Sequence, residues 1–161
     1  MLQLSTTPID GPSAGYLRSI PLFGGVGEAG CELLCAGALA VQVSDGEAVY
    51  AEGDAAKALY VIWQGRVALR RSTLRGPVTV NHLDAGESFG DQELLDMLPR
   101  NCSAVGVGDA TLWRISYSAV DTLRRENLKE FTIFALNAAR QMSRRLRQTD
   151  TELIELRAQL P

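Results

Sequence analysis

Asp91 and Arg100 are the charged pair in this chain with the clearest chemical use, and both fall in the segment Leu83 to Val105, LDAGESFGDQELLDMLPRNCSAV. Gly86 and Gly90 permit backbone shapes that other residues resist, and Asp91 to Met97 is long enough for one or two helical turns. Such a turn starts with free N–H groups, which favour an anion. Arg100 follows at a distance from which its planar guanidinium folds back to clamp two oxygens of a phosphate. Asp91 at the mouth of the turn offers an acceptor for a sugar hydroxyl. The plainer alternative makes Arg100 a core-edge arginine tied to backbone carbonyls or to a neighbouring carboxylate such as Asp91.

Other reactive residue types carry less. His82 is the single histidine and sits on an alternating run, too few ligands for a metal site, so it reads as a structural imidazole. Cys31, Cys35 and Cys102 match neither a zinc ribbon nor a disulfide scaffold and read as ordinary small residues in a reducing compartment. Neither a nucleophile with its base nor a paired carboxylate stands in a recognisable catalytic frame, so the expectation is a binding protein rather than an enzyme. A net charge of -3 with a pI near 5.2 argues against nucleic acid as a partner. The apolar run around Ala38 to Val43 is far too short to span a bilayer, and a soluble, cytoplasmic protein is expected.

The elements that must position the segment can be read from periodicity. Residues 1–19, with Pro8, Gly11, Pro12 and Gly15, read as a flexible arm. Glu28 to Leu39 has helical spacing. Short alternating runs follow: Val41 to Val43, Val49 to Tyr50, Leu59 to Trp63, Val67 to Leu69, Val78 to Leu83, Ala104 to Val107 and Leu112 to Ile115. Evenly spaced short strands predict an all-β roll or barrel. Gly65 between two of them predicts a tight hairpin, and Arg70 to Pro77 a longer, solvated basic one. After Ile115 the pattern turns helical, with Ser116 or Ser118 capping a short helix to about Arg125 and a second helix from Glu126 or Asn127 reaching toward Leu160.

These residues resemble the cyclic nucleotide-binding domain family, whose phosphate-binding cassette reads FGE, seven residues, then PRxAT or PRxAS. This chain has Phe89, Gly90, Asp91, seven residues, then Pro99, Arg100, Asn101, Cys102 and Ser103. The likeness runs from Ile20 to Leu160, through PLFGGV, EGD at Glu52 to Asp54, LYVIWQGRV and LDAGESFGD. In kind it resembles a catabolite activator protein-like effector domain without the DNA-binding domain, since a helix-turn-helix reader would need several dozen residues beyond Leu160. The resemblance implies a mainly β fold with flanking helices, a double-stranded β-helix or jelly-roll-like β-roll over 20–125, followed by a long C-terminal helix over 126–161. It implies cAMP or cGMP as ligand and no metal. By the same likeness Arg100 holds the cyclic phosphate, and Asp91 stands where the family has its ribose-binding Glu. Phe89, Gly90, Gln92, Glu93, Leu94, Asn101 and Ser103 complete the pocket. Asp91 is one methylene shorter than that Glu. Gln92 and Glu93 replace an apolar and a small residue, and an inward Glu93 carboxylate would repel the phosphate.

Met142, Leu146, Thr149, Leu153, Leu156 and Leu160 step by four and three, the seam of a two-stranded coiled coil. With Leu146 at a, Arg145 opposes Asp150 and Glu152 opposes Arg157 of a parallel partner, so a parallel homodimer is expected. A single helix packed on its own roll instead suits Ile133, Phe134 and Leu136. Thr149, in RRLRQTD, resembles the threonine in RRLQVTS that meets the adenine ring in the family, which favours cAMP over cGMP. The readings are therefore a cyclic nucleotide sensor signalling through its terminal helix to an unidentified effector protein, or a dimeric interaction module that keeps the roll but has lost its ligand.

Overall fold

A computed structural model describes residues 11–160. Helix α1 (Ala14–Ser19), a 3-10 turn at Pro21–Phe23 and α2 (Glu28–Ala36) precede β1 (Leu39–Val43), β2 (Ala48–Tyr50), β3 (Ala58–Thr73), β4 (Gly76–Asp84) and β5 (Ser88–Phe89). The short α3 (Gln92–Asp96), β6 (Ser103–Ser116), α4 (Tyr117–Glu126) and α5 (Leu128–Ala158) complete the chain. The strands form one antiparallel sheet in the order β1-β6-β3-β4, with β2 also on β6 and β5 on β3. Sheet and helices together are the expected β-roll with a long terminal helix.

The period of two along β3 explains how one sheet carries two cores. Leu59 and Val61 point to the helices, where they meet Leu17, Leu22, Phe23, Leu34, Trp113 and Phe134. Ala58, Tyr60 and Ile62 point into the roll, against Val41, Tyr50, Phe89 and Leu112. Both faces are covered, so this part of β3 is buried at every position from Ala58 to Ile62 and its sequence is a continuous apolar run.

Two expectations are corrected here. Gly65 does not turn a hairpin: it lies inside β3, with φ of 84°, where the register against β6 shifts on either side of Gln64. A Cβ at Gly65 would stand 2.5 Å from the Asp109 carbonyl, so the close passage of β6 requires glycine there. Part of the stretch expected as an arm, Ala14–Ser19, is instead helix α1. Ser13 caps α1 by accepting from Tyr16 N, and Leu17 is fully buried in the helical core; residues 1–10 of that stretch lie outside the described residues.

Helix α5 is capped by Asn127, which accepts from Glu130 N at 3.2 Å. One of its faces runs along the roll. Phe134 and Ala138 are buried, the Asn137 amide donates to Leu22 O and Gly24 O, and Gln141 and Arg145 donate to Ser88 O. Leu136, expected on this face, is half exposed because it lies on the far side of the turn that buries Phe134 and Ala138. Among the described residues no helix is long and apolar enough to cross a membrane.

Candidate functional site

The segment Phe89 to Ser103 leads from β5 to β6 as strand end, short helix and return loop. Gly90 adopts φ of 76°, and a Cβ there would lie 2.6 Å from Arg100 Nη1, so glycine both makes the bend and admits the guanidinium. Met97, in the left-handed region at φ of 58°, ends α3 and turns the chain back toward Pro99 and Arg100.

Arg100 is only 4% exposed, and its Nη groups are directed inward. Nη2 donates to Ala58 O at 2.5 Å; Nη1 donates to Glu93 Oε2 at 3.0 Å and more loosely to Gly90 O and Tyr117 Oη at 3.4 Å. The guanidinium carbon lies 4.0 Å from the centre of the Tyr50 ring, a cation–π contact. Burial disfavours its charge, and the electron-rich oxygens of Tyr50, Tyr117 and Glu93 more than restore it. The Tyr117 hydroxyl donates to Gly90 O, and burial pushes its own titration upward. Thus the arginine meets backbone carbonyls and a carboxylate, as in the plainer of the two sequence readings, and the carboxylate is Glu93 rather than Asp91.

Glu93 is 5% exposed; its second oxygen accepts from Asn101 N at 3.4 Å. Asp91 is fully buried, and neither of its oxygens meets a hydrogen-bond donor; the closest charge is Arg145 of α5, 3.8 Å away. This burial raises the Asp91 pKa, with Arg145 opposing the change. Arg145 therefore turns to its own cassette. The sequence had it facing Asp150 of a partner; within the chain its guanidinium donates to Ser88 O at 2.8 Å.

A cavity of about 310 Å³ lies between the cassette, the roll and α5. Of the residues expected to bind ligand, Phe89, Gly90, Gln92, Glu93, Asn101 and Thr149 line it. Asp91 and Arg100 lie behind that wall, Leu94 lines a separate cavity, and the Ser103 hydroxyl accepts from Glu52 N. The sequence reading missed Tyr50, Asn81, Arg71 and Gln148 on the wall, and Tyr117 behind it. Their approach depends on strands and helices far apart in the chain. The segment RRLRQTD was the one available signal, through Arg145 and Gln148 beside Thr149.

The stranded Asp91 carboxylate has a measurable consequence. An unfolded aspartate titrates near 3.9, and a raised folded value means that above this pH the folded state binds more protons, so stability falls as pH rises through the window between the two values. Asp91→Asn should remove that fall. A buried polar group without a hydrogen-bond partner typically costs about 1 to 3 kcal/mol and a charged one more, and the amide is spared the excess. Urea unfolding should therefore find the variant more stable than the parent by about 1 kcal/mol or more at pH 7.5, with the gap closing toward pH 4. A variant no more stable than the parent at pH 7.5 would contradict the assignment.

The chain is similar to other proteins in sequence and in fold. The cyclic AMP receptor protein of Thermus thermophilus is 33% identical over 141 residues, 85% of this chain and 62% of that protein. The crystal structure of the Thermus thermophilus catabolite activator protein aligns with a TM-score of 0.71 at 34% identity, covering 84% of this chain and 62% of that one. A cyclic nucleotide-binding domain from Methylobacillus flagellatus shares the fold with a TM-score of 0.79 at 20% identity, covering 94% and 88% of the two chains. The chain thus spans 62% of the length of its curated Thermus relative. The family model for the cyclic nucleotide-binding domain matches residues 40–127, from β1 to the cap of α5 and so across the whole cassette. On that match, together with the β-roll that carries it, the chain belongs to the cyclic nucleotide-binding domain family.

Proposed function

We propose that this chain is a cyclic nucleotide sensor that prefers cAMP to cGMP and signals through α5 as a parallel homodimer. The observation that carries this reading is the cavity itself, whose walls include both the cassette, through Gly90, Gln92 and Asn101, and α5, through Arg145, Gln148 and Thr149. A ligand touching both walls makes the position of α5 depend on occupancy, which a sensor needs. Arg100 is the phosphate partner in this reading, reached when Glu93 yields, and Asp91 is the group nearest a ribose hydroxyl.

Support for cAMP comes from Thr149 and from the name of the Thermus relative, a cyclic AMP receptor protein. The Thr149 hydroxyl donates to Arg145 O at 3.1 Å, which leaves its lone pairs to accept from the 6-amino group of adenine, where guanine carries a carbonyl oxygen that cannot donate. Support for the dimer comes from Leu146, Leu153, Leu156 and Leu160, all exposed on the chain by itself. Calorimetric titration with cAMP and cGMP tests the reading, with cAMP expected to bind more tightly. Thr149→Ala should weaken cAMP about fivefold, the value of about 1 kcal/mol for a neutral hydrogen bond. Equal affinity in variant and parent would mean that the base is read elsewhere.

One observation favours a second reading. The Glu93 carboxylate already satisfies Arg100, as it would in a dimeric interaction module that no longer takes ligand. Absence of heat with either nucleotide at millimolar concentration would select it.

A further inference from the structure

We infer that Glu93 is an internal anion of the Arg100 site, and that a cyclic nucleotide binds by exchanging its phosphate for this carboxylate. The inference rests on the sensor reading above and concerns what sets its threshold. The two Glu93 oxygens take one guanidinium N–H of Arg100 and one backbone N–H of Asn101, the kinds of donor that an incoming phosphate oxygen needs. The remaining contacts of Arg100 are made by Nη1 and Nη2 to Ala58 O, Gly90 O and Tyr117 Oη, and Tyr50 covers one face, so an anion that is to take both Nη1 and the Asn101 N–H must occupy the place Glu93 now fills.

Charge makes the exchange obligatory. Arg100 and Glu93 neutralise each other in a setting where both side chains are almost wholly buried. Adding a phosphodiester while the carboxylate stays would leave two negative groups on one buried cation, and like charges at such distances repel strongly where water is scarce. A route out exists, because Glu93 lines both the 310 Å³ cavity and a neighbouring cavity of about 600 Å³. That larger space is open to solvent between α3, α4 and the start of α5, and its wall carries Arg124 paired with Asp121 at 2.8 Å. A released carboxylate turns into it and becomes hydrated. Binding therefore moves a charge toward the contact between α4 and α5, and the threshold for ligand follows from how firmly Glu93 holds Arg100.

Three substitutions at one position separate charge from shape, and inorganic sulfate supplies a probe independent of the nucleotide. Glu93→Gln keeps size and an acceptor oxygen but removes the charge; Glu93→Ala removes both; Glu93→Asp keeps the charge. Calorimetry should show cAMP binding to Glu93→Gln and Glu93→Ala at least tenfold tighter than to the parent, and to Glu93→Asp without such a gain. In thermal unfolding, sulfate at constant ionic strength should raise the Tm of Glu93→Gln and Glu93→Ala more than that of the parent, because only in them is Arg100 free to take an external anion. Unchanged or weaker cAMP binding in Glu93→Gln would overturn the inference, as would an equal sulfate response in parent and variants. Should no form bind cAMP, the sensor reading fails, and the sulfate comparison still decides: a variant-specific rise upholds the internal anion, and an equal rise removes it.

Discussion

Arg100→Ala should lose both cyclic nucleotide binding and much of the stability of the fold. The binding loss follows from the charge of the ligand: a phosphodiester that sheds its water needs a charged donor, and truncating one partner of a desolvated ion pair typically costs about 2 to 5 kcal/mol, or at least roughly thirtyfold in affinity. The stability loss follows from Glu93. Without the guanidinium its carboxylate either stays buried with only the Asn101 N–H as partner, at a cost of about 3 to 5 kcal/mol, typical of breaking a buried pair, or turns into the neighbouring cavity at a smaller cost. The stacking against Tyr50 goes as well. A paired replacement separates the two effects. Arg100→Met with Glu93→Leu leaves no buried charge of this pair, so urea unfolding should find stability returned toward that of the parent while calorimetry still finds no binding. An Arg100→Ala protein that unfolds at the parent's urea midpoint would show that the pair is not structural, and one with the parent's affinity would remove Arg100 from the ligand site.

Leu153→Glu combined with Leu156→Glu should convert the proposed homodimer to a monomer with the roll intact. Both leucines are exposed on the isolated chain, Leu153 by 43% and Leu156 by 61%, so within one protomer their replacement removes little packing. In a parallel pair they form adjacent layers of the seam, and four carboxylates placed there would face one another across it. Light scattering at micromolar concentration should read twice the chain mass for the parent and the single mass for the variant, with unchanged far-UV circular dichroism. A variant that remains dimeric would move the interface off the terminal helix. Arg145 sharpens this expectation. Because its guanidinium meets Ser88 O and lies beside Asp91 within the chain, an Arg145 to Asp150 attraction across the proposed seam would compete with these contacts, whereas Glu152 and Arg157 make no such contact with the cassette.

Local rules carried much of the architecture because the relevant residues are neighbours in sequence. Short apolar runs cut by glycines indicate a roll, Asn127 and the four-three leucine steps indicate the last helix, and Gly90, Pro99 and Arg100 with their spacing indicate the cassette, all without knowledge of distant contacts. Gly65 shows where such rules end. A tight turn and a bulge inside a strand both call for a residue at positive φ, and only the approach of Asp109 and Ala110 on β6 decides between them. The apolar run of β3 is similarly ambiguous in sequence, since its two faces become distinct only when helices cover one and the roll closes over the other.

The division is sharpest at the charged residues. That Arg100 stands next to a helical turn bearing carboxylates follows from the order of residues alone, as does the presence of an acid at Asp91. Which acid meets the arginine does not. Asp91 precedes α3 and Glu93 lies in its first turn; the phase of that turn, fixed by the bend at Gly90 and the left-handed Met97, brings Glu93 onto the guanidinium and leaves Asp91 facing Arg145. Tyr50 and Tyr117, which enclose Arg100, arrive from β2 and the start of α4, and no spacing within the cassette announces them. Sequence thus determined the fold, the family likeness and the segment where the proposed anion site lies. Tertiary structure decided which groups touch there, because the energy of a buried charge depends on every element packed around it.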